Sequence, residues 1–313
     1  MSSVLAVALP VFAVIAAGLL AGRFRLASAA DSDALNRFVF RFAMPAALFG
    51  LLSGAHGLNR NDALLALSYG GPAVAVLFGS YAIARLAFAC DRPTAGAHAF
   101  ASTIGNAVFL GLPIALAIGG WARPFVVLML VEGIVVIGVG AALMSQPVGG
   151  DSAAGDRSRI ADIFIRPLKN PLVAAALAGF ALATLGVEPP GPARTFFDLF
   201  GRAAGPTALF SLGLFFATRP LPPIRRAAPN IATIAGMKMA VLPALALTLG
   251  GAIGVADPQY RGALALFTVT PVAVSAYVMA SQYGRYVGEI AAAVATTTAL
   301  SVLSISLVLI AFA

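Results

Sequence analysis

Charged residues are scarce in this sequence. Aspartate, glutamate, lysine and arginine together make up 10% of its 313 residues, whereas soluble domains contain about 25%. Hydrophobic residues account for 60%, and the mean hydropathy is +0.95. These values exclude an ordinary soluble domain, so the sequence predicts a protein embedded in a lipid bilayer.

Cysteine and histidine are nearly absent as well. The single cysteine, Cys90, excludes an intrachain disulfide, and neither His56 nor His98 has neighbours at metal-site spacing. The motifs HExxH, GxSxG and GxxxxGK[ST] do not occur, which argues against a zinc protease, a serine hydrolase and an ATP-driven pump. We therefore expect no enzyme activity, no metal site and no cofactor, while coupling to H⁺ or Na⁺ stays open.

Long apolar runs fill the chain instead. About 20 apolar residues suffice to cross roughly 30 Å of hydrocarbon, and lipid admits only helices or closed barrels. The runs are too long for barrel strands, so the sequence predicts an all-α membrane protein with ten transmembrane helices. They cover approximately residues 1–22, 34–55, 62–89, 95–119, 124–146, 168–187, 195–218, 229–254, 261–283 and 286–312.

The basic residues alternate by loop. Loops after odd-numbered segments hold twelve of them: Arg23, Arg25, Arg85, Arg92, Arg157, Arg159, Arg166, Lys169, Arg219, Arg225, Arg226 and Arg285. Loops after even-numbered segments hold four: Arg60, Arg123, Arg194 and Arg261. Because basic loops stay in the cytoplasm, both termini are expected on the periplasmic side of a bacterial inner membrane. This distribution explains the net charge of +8 without a nucleic-acid partner.

An internal repeat divides the chain. Residues 41–51 read RFAMPAALFGL and residues 202–212 read RAAGPTALFSL, an offset of 161 that also pairs Gly18 with Gly179. The predicted units are a first five-helix repeat at 1–146, a cytoplasmic linker at 147–166 and a second repeat at 167–313. An odd number of helices in each repeat inverts the second relative to the first, as in many secondary transporters.

Segments 4 and 9 combine helix breakers with polar residues at mid-membrane depth. Aligning Thr103 with Thr268 places Asn106 opposite Pro271, so the sequence predicts two broken helices that cross. Broken backbone at this depth must be buried or line a cavity, and the half-helix N-termini would attract an anion. An alternative is that Asn106 only satisfies a carbonyl exposed by the break. The candidate substrate-binding residues are Thr103, Gly105, Asn106, Thr268, Thr270, Pro271 and Ser275.

Other residues are candidates for movement and coupling. Gly111 and Pro113 are predicted hinges beside the first break, and the repeat-related Pro45 and Pro206 are predicted kinks on which the halves rock; the ionisable candidates are Glu132 and Lys238. Each lies about eight residues, or 12 Å, into its segment from opposite faces. A salt bridge between them is possible if segments 5 and 8 are neighbours, and a coupling role and a static pair both stay open. Arg41 and Arg202, which are also repeat-related, are expected to extend toward lipid headgroups.

Several motifs together resemble the auxin efflux carrier family, including its malonate-permease-like bacterial branch. They are NRFVFRFAMP at 36–45, the spacing of Ser102, Asn106, Gly111 and Pro113, KNP at 169–171, and TPVAVSAYVMASQYG at 270–284. The resemblance implies a ten-helix inverted-repeat fold similar to the bile-acid sodium symporters, with a scaffold domain, a crossover domain and Asn106 near the substrate carboxylate. The sequence departs from those symporters beside Pro271, where it has threonines instead of asparagine or glutamate, which weakens the case for a sodium site.

The function expected from these features is secondary active transport. The protein would act as a permease that moves a small organic anion, a mono- or dicarboxylate, across the inner membrane by alternating access. The alternative is a channel-like or sensor protein that binds a carboxylate without coupled transport. Expected partners are the anion and the bilayer, and a homodimer stays open.

Overall fold

The computed structural model describes residues 2–53, 59–144, 171–218 and 224–312. These residues form helices, and within them the only β-pairing is one isolated bridge. The predicted linker at 147–166 lies outside the described residues. We number the helices α1 (Ser2–Arg23), α2 (Ala29–Ser53), α3 (Arg60–Leu86), α4 (Arg92–Ala101), α5 (Ala107–Ala117), α6 (Ala122–Met144), α7 (Pro171–Thr184), α8 (Gly191–Thr218), α9 (Ile224–Gly236, Met237–Val241 and Leu242–Ala252), α10 (Pro258–Val269), α11 (Val274–Tyr283) and α12 (Val287–Phe312).

Six of these helices are long and apolar enough to cross a membrane: α2, α3, α6, α8, α9 (over Ala227–Ala252) and α12. They coincide with predicted segments 2, 3, 5, 7, 8 and 10. Shorter apolar helices at Phe12–Arg23, Ala107–Ala117 and Ala174–Thr184 overlap segments 1, 4 and 6. The all-helical, multi-pass class predicted from composition is therefore confirmed.

Local sequence signals start several of these helices. Asn59 and Asp62 form a capping box at the start of α3, and each accepts a backbone N–H from the other. Asp91 caps α4 through Thr94, and a proline follows it at the first helical turn. Asp257 caps α10 in the same way. These caps satisfy N–H groups that a helix end leaves without partners.

The helices pack into two bundles. In the first, which we call the scaffold bundle, α1 packs on α8, α7 packs on α2, and α2 also contacts α8. In the second, the crossover bundle, α3 packs on α4, α6 and α9, while α10 lies against α6, α9 and α12. Each bundle takes helices from both halves of the chain, so packing does not follow the chain order.

Two repeat-related glycines allow close approaches in the scaffold bundle. A Cβ on Gly18 of α1 would lie 2.0 Å from the carbonyl oxygen of Phe210 in α8. A Cβ on Gly179 of α7 would lie 2.9 Å from the Cβ of Leu52 in α2. The same two glycines are paired by the 161-residue offset. Each therefore serves the same purpose, which is to bring one helix against another from the opposite half of the chain.

In the part of the chain that the structure describes, wide π-helical turns interrupt the α-helices at four places, at Val39–Ala43, Ala107–Gly111, Glu132–Ile137 and Met237–Val241. Three of them end two residues before a proline: Pro45, Pro113 and Pro243. In each case the residue before the proline donates its N–H to the carbonyl five positions back. Proline lacks an N–H of its own, and a π-turn is a common way to accommodate such a local defect. Pro206, the repeat partner of Pro45, lies instead within the continuous α-helix α8.

A buried polar network ties the crossover bundle together at the starts of α3, α6 and α10. Arg123 donates to both carboxylate oxygens of Asp62, at 3.1 and 2.8 Å. The hydroxyl of Tyr260 donates to Asp62 at 2.8 Å and accepts from Arg123 at 2.7 Å. Since three helices share one set of hydrogen bonds, this end of the bundle is held as a unit.

Candidate functional site

The two broken helices meet at their breaks. Residues 102–106 separate α4 from α5, and residues 270–273 separate α10 from α11; we call these two stretches the crossover. The N–H of Asn106 donates to the carbonyl of Pro271 at 2.7 Å, and the N–H of Ala273 donates to the carbonyl of Ile104 at 3.3 Å. Gly105 and Val272 thereby form an antiparallel bridge. Each break supplies hydrogen bonds that the other lacks, which is how irregular backbone is tolerated at membrane depth.

The structure brings the predicted substrate-binding residues together at the crossover. Six of the seven are buried, and Ser275 is half-buried in the first turn of α11. The three threonine hydroxyls donate to carbonyls of their own helices, which are Ala99 for Thr103 (2.9 Å), Leu264 for Thr268 (2.8 Å) and Phe267 for Thr270 (2.7 Å). Their hydrogens therefore stabilise the broken helix ends, and only their oxygen lone pairs face other groups.

Asn106 differs from the threonines because its side-chain amide is not used. The residue is 1% exposed, and its Nδ2 has no hydrogen-bond partner among the described residues. A buried donor without a partner costs about 1–3 kcal/mol. The alternative in which Asn106 only satisfies an exposed carbonyl is thus not what the structure shows. Its backbone N–H bonds to Pro271, and its amide is available to another group.

Glu132 binds the first break. Its Oε1 accepts the N–H of Gly105 at 2.8 Å and the hydroxyl of Tyr69 at 2.9 Å. Free N–H groups at a helix start attract negative charge, so a carboxylate at the N-terminal side of α5 is physically favourable. Glu132 begins the π-turn of α6, and π-turns occur frequently at functional sites.

Lys238 binds the second break. It is 1% exposed, lies in the π-turn of α9, and donates from Nζ to the carbonyl of Thr268 at 2.7 Å. That carbonyl belongs to the last turn of α10, where the helix dipole favours a positive charge. Lys238 also lies beside Gly105, since a Cβ added to Gly105 would be 3.4 Å from Nζ of Lys238. The same Cβ would be 2.3 Å from Oγ1 of Thr270, so the space around Gly105 admits no side chain.

The salt bridge that the sequence allows between Glu132 and Lys238 is not formed. Among the described residues, ion pairs join Arg123 to Asp62, Arg194 to Glu188 and Arg285 to Asp91, and none joins Glu132 to Lys238. Gly105 lies beside both side chains, since its N–H donates to Glu132 and a Cβ on it would lie 3.4 Å from Nζ of Lys238. The backbone of the crossover therefore takes the hydrogen bonds that a salt bridge would have used.

Two buried residues at the crossover were not among the predicted ones. Tyr69 of α3 is fully buried, donates to Glu132 and packs edge-on against Phe267, with the ring centres 4.9 Å apart. Thr297 of α12 accepts the N–H of Val272 at 3.1 Å. Thr297 stands 165 positions after Glu132, the same offset that relates Thr103 to Thr268, so the repeat contained a signal for it. We find no comparable signal for Tyr69.

The predicted hinge residues lie in α5 beside the crossover (Gly111 and Pro113) and in the scaffold helices α2 and α8 (Pro45 and Pro206). A Cβ on Gly111 would lie 2.4 Å from Cζ of Phe125, so glycine is needed where α5 passes α6. Pro113 and Pro206 both line a cavity of about 580 Å³. Pro45 lies in α2, two residues after a π-turn.

That cavity separates the two bundles. It is lined by Pro10 and Val14 of α1, Ala47, Gly50 and Leu51 of α2, Pro113, Leu116 and Ala117 of α5, and Phe197, Asp198, Gly201, Arg202, Gly205, Pro206 and Leu209 of α8. A second crevice of only about 40 Å³ lies beside Glu132, and its walls include Leu172 and Ala176 of α7. Both cavities border α5, which belongs to the broken segment.

Comparison with known proteins agrees with these features. Residues 3–309 match the family described as "Membrane transport protein". The chain belongs to this family. Its relatives include a "Putative malonate transporter" of Rhizobium meliloti (strain 1021), which is 29% identical over 98% of this chain and 95% of that protein. Another is the "Uncharacterized transporter YfdV" of Escherichia coli (strain K12), 25% identical over 89% of this chain and 88% of that protein. The resemblance to auxin efflux carriers is thereby confirmed.

For a member of a transport family, the crossover provides binding chemistry. It combines an unused amide donor on Asn106, an ammonium group on Lys238 and a carboxylate on Glu132 within one buried layer. No group of three or more His, Cys, Asp or Glu side chains suited to a metal occurs in the described ranges. The arrangement can bind an anion through the amide and the ammonium group, and a proton through the carboxylate.

Proposed function

We propose that this protein is a secondary transporter that carries a small organic anion, a mono- or dicarboxylate, across the bacterial inner membrane. The observation that carries the proposal is the buried, unpartnered amide of Asn106 at the point where two broken helices meet. Lys238 adds a positive charge to the same layer. The name of the Rhizobium relative makes malonate the first carboxylate to test.

The proposed architecture is ten membrane segments in two inverted repeats. Counting α4 with α5 and α10 with α11 as one broken segment each reduces the twelve helices to ten. The matching contacts of Gly18 and Gly179 support the inversion. So does the backbone of the two breaks: Glu132 of α6 accepts Gly105 N–H, and Thr297 of α12 accepts Val272 N–H. The last helix of each half thus supports the break in its own half.

Alternating access would come from movement of the crossover bundle against the scaffold bundle. With both termini outside, α5 runs outward from the crossover, so the cavity of about 580 Å³ lies on the periplasmic side. The crevice beside Glu132, of about 40 Å³, lies toward the cytoplasm, where α7 begins. The difference in volume corresponds to a conformation that is open outward and nearly closed inward. Pro113 and Pro206, which line the larger cavity, are placed where the two bundles would slide.

Glu132 is the proposed coupling residue, and the proposed coupling ion is the proton. Both hydrogen bonds to its carboxylate end on Oε1, and the residue, 6% exposed, lines the inner crevice. A proton can therefore bind Oε2 without displacing Gly105 or Tyr69. Lys238 argues against a sodium ion in the same layer, because its ammonium group already occupies the Thr268 carbonyl and repels a second cation.

Binding and transport test this proposal in two steps. Purified protein would first be melted with malonate, with a monocarboxylate and with the neutral malonamide, because a ligand of the native state raises the apparent melting temperature. We expect stabilisation by a carboxylate and not by the amide, and its loss in Asn106→Ala. Asn36→Ala is the matched control, since it removes an amide that bonds to Ser211 in the scaffold bundle. An Asn106→Ala protein that binds carboxylates as the parent does would refute the site.

Counterflow in proteoliposomes would then separate a carrier from the channel-like or sensor alternative. A carrier exchanges labelled external anion for unlabelled internal anion, because each turnover returns a loaded site. A channel dissipates the gradient without exchange, and a sensor moves no anion. Uptake driven by internal unlabelled anion is the expected result.

A further inference from the structure

The outer cavity between the bundles contains two charged side chains among otherwise apolar or glycine walls. They are Asp198 and Arg202 of α8. Opposite them, Pro113 and Leu116 of α5 form part of the same cavity. A cavity of about 580 Å³ is large enough for a small organic molecule, since ligand pockets typically measure about 300–1,000 Å³.

Arg202 is not paired within the part of the chain that the structure describes. Asp198 lies four residues earlier on the same helix, at the spacing of a favourable helical ion pair, yet the ion pairs found join other residues. Asp198 also lines a neighbouring pocket of about 160 Å³ together with Arg194, farther toward the start of α8. Arg202, which is exposed, therefore lines the cavity without a direct ion pair to Asp198, an acidic residue of the same wall.

The repeat partner of Arg202 provides a contrast. Arg41 lies in the π-turn Val39–Ala43 of α2 and is absent from the walls of the outer cavity. The extension toward headgroups expected for both arginines remains the simple explanation for Arg41. For Arg202 the structure offers a different one, because it lines a cavity that also borders α5, the helix that begins at the crossover.

We propose that Arg202 forms an outer anion-binding subsite, which takes the carboxylate group of the transported anion before it reaches Asn106. This inference rests on the proposed function and extends it by naming a residue and a ligand chemistry. A guanidinium binds a carboxylate through two parallel hydrogen bonds, and the apolar walls fit a short hydrocarbon body. Pro113, which lines the cavity, lies seven residues beyond Asn106 on the same segment, about 10 Å along the helix. An anion bound at the subsite would therefore be about one such distance from the crossover, which it would reach next.

The electrostatic part can be tested without knowing the substrate. The single native cysteine allows a Cys90→Ala background, into which Leu116→Cys introduces a thiol on the α5 wall of the cavity. The rates at which this thiol reacts with an anionic and with a cationic methanethiosulfonate would each be divided by the rate of the same reagent with a small free thiol in solution. The ratio of the two normalised rates, anionic to cationic, reports the local electrostatic potential. We expect Arg202→Gln to lower the anion-to-cation ratio by about threefold or more, since a unit charge a few ångströms away acts on both reagents with opposite sign. Arg41→Gln should leave it unchanged.

Transport kinetics test the binding part. In proteoliposomes supplied with malonate or the carboxylate found by the melting screen, Arg202→Gln should raise KM several-fold with kcat retained, and Arg202→Lys should recover part of the loss. An unchanged labelling ratio, or a Leu116→Cys thiol that neither reagent reaches, would overturn the inference even if carboxylate transport is intact. If no carboxylate is transported but the labelling ratio changes as expected, the proposed function fails while the anion-attracting cavity stands.

Discussion

Glu132 accepts the N–H of Gly105 at 2.8 Å, so a carboxylate of the protein itself occupies the free backbone donor of the first break. A broken helix in lipid would otherwise expose this N–H at a cost of several kcal/mol. The same oxygen holds Tyr69. One side chain therefore joins three elements of the crossover bundle, α3, the α4–α5 break and α6, and any change in its charge reaches all of them.

Replacing Glu132 by glutamine tests its role in coupling. The amide oxygen of Glu132→Gln can still accept from Gly105 and Tyr69, so folding should be close to that of the parent. It cannot take up a proton, so the pH dependence of anion uptake should disappear. Uptake measured in proteoliposomes across an imposed pH gradient would show this.

Glu289→Gln is the matched control, because Glu289 lies in the first turn of α12 and should leave the pH dependence as it is. A Glu132→Gln protein with the parental pH profile would remove Glu132 from the coupling role. The alternative change, Glu132→Ala, leaves Gly105 N–H and Tyr69 OH without an acceptor and should destabilise the protein by about 1–3 kcal/mol for each group.

Tyr69→Phe removes one hydroxyl and keeps the ring. Its packing against Phe267 should persist, while the lost hydrogen bond to a charged group should cost about 1.5–3 kcal/mol. Thermal unfolding in detergent would detect the decrease. Tyr81→Phe on the same helix is the comparison, since Tyr81 is only half-buried; equal losses in the two variants would contradict the importance of the bond to Glu132.

Lys238→Met keeps much of the side-chain volume and removes the charge. The crossover then offers an anion only the amide of Asn106. In the melting assay, carboxylates should therefore no longer stabilise the protein, or should need a concentration at least about tenfold higher to give the same rise in melting temperature. Arg285→Met, which removes a cation half-exposed beside Asp91, should bind as the parent does. Undiminished binding by Lys238→Met would show that the anion does not use this charge.

Gly18→Ala tests the close packing of the scaffold bundle. The new Cβ would meet the Phe210 carbonyl at 2.0 Å, so α1 must move away from α8, at a cost of about 1–3 kcal/mol or more. Gly179→Ala should be less harmful, because its closest contact is 2.9 Å and involves a side chain. Gly236→Ala meets no atom within 4 Å and should leave the melting temperature unchanged or raise it. The reverse order of stabilities would contradict the packing described.

A pKa outside the membrane segments gives a further prediction about the loop before α4. Hydrogen bonding from Thr94 is the main cause that lowers the pKa of Asp91, and Arg85 and Arg285 act in the same direction. The cap therefore stabilises the fold above the ordinary pKa of aspartate, and its contribution is lost as the pH falls through the lowered pKa. Asp91→Asn should cost little at neutral pH, because an amide oxygen can still cap α4, and should flatten the acid side of the stability profile measured by thermal unfolding.

The sequence alone determined the properties that depend on position along the chain. Composition and the lengths of the apolar runs are sufficient to predict a helical membrane protein. Clustered breakers such as Gly105 and Pro271 mark where helices must end, and the 161-residue repeat relates Gly18 to Gly179. The similar depths predicted for Glu132 and Lys238 rest on the constant rise of a helix per residue and stay a prediction.

The tertiary structure decided what lies beside what. A predicted depth does not reveal that Gly105 of the crossover lies beside both Glu132 and Lys238, and the salt bridge that the sequence allows between them is not formed. Tyr69 carries no mark in the sequence, since an isolated tyrosine in an apolar helix is unremarkable until a carboxylate is found against it. Arg202 and Arg41 are equivalent in the repeat and differ only in what surrounds them. Lateral contacts arise from how the helices pack. Packing brings together residues that are far apart in the chain, and no local sequence pattern specifies which helix faces will meet.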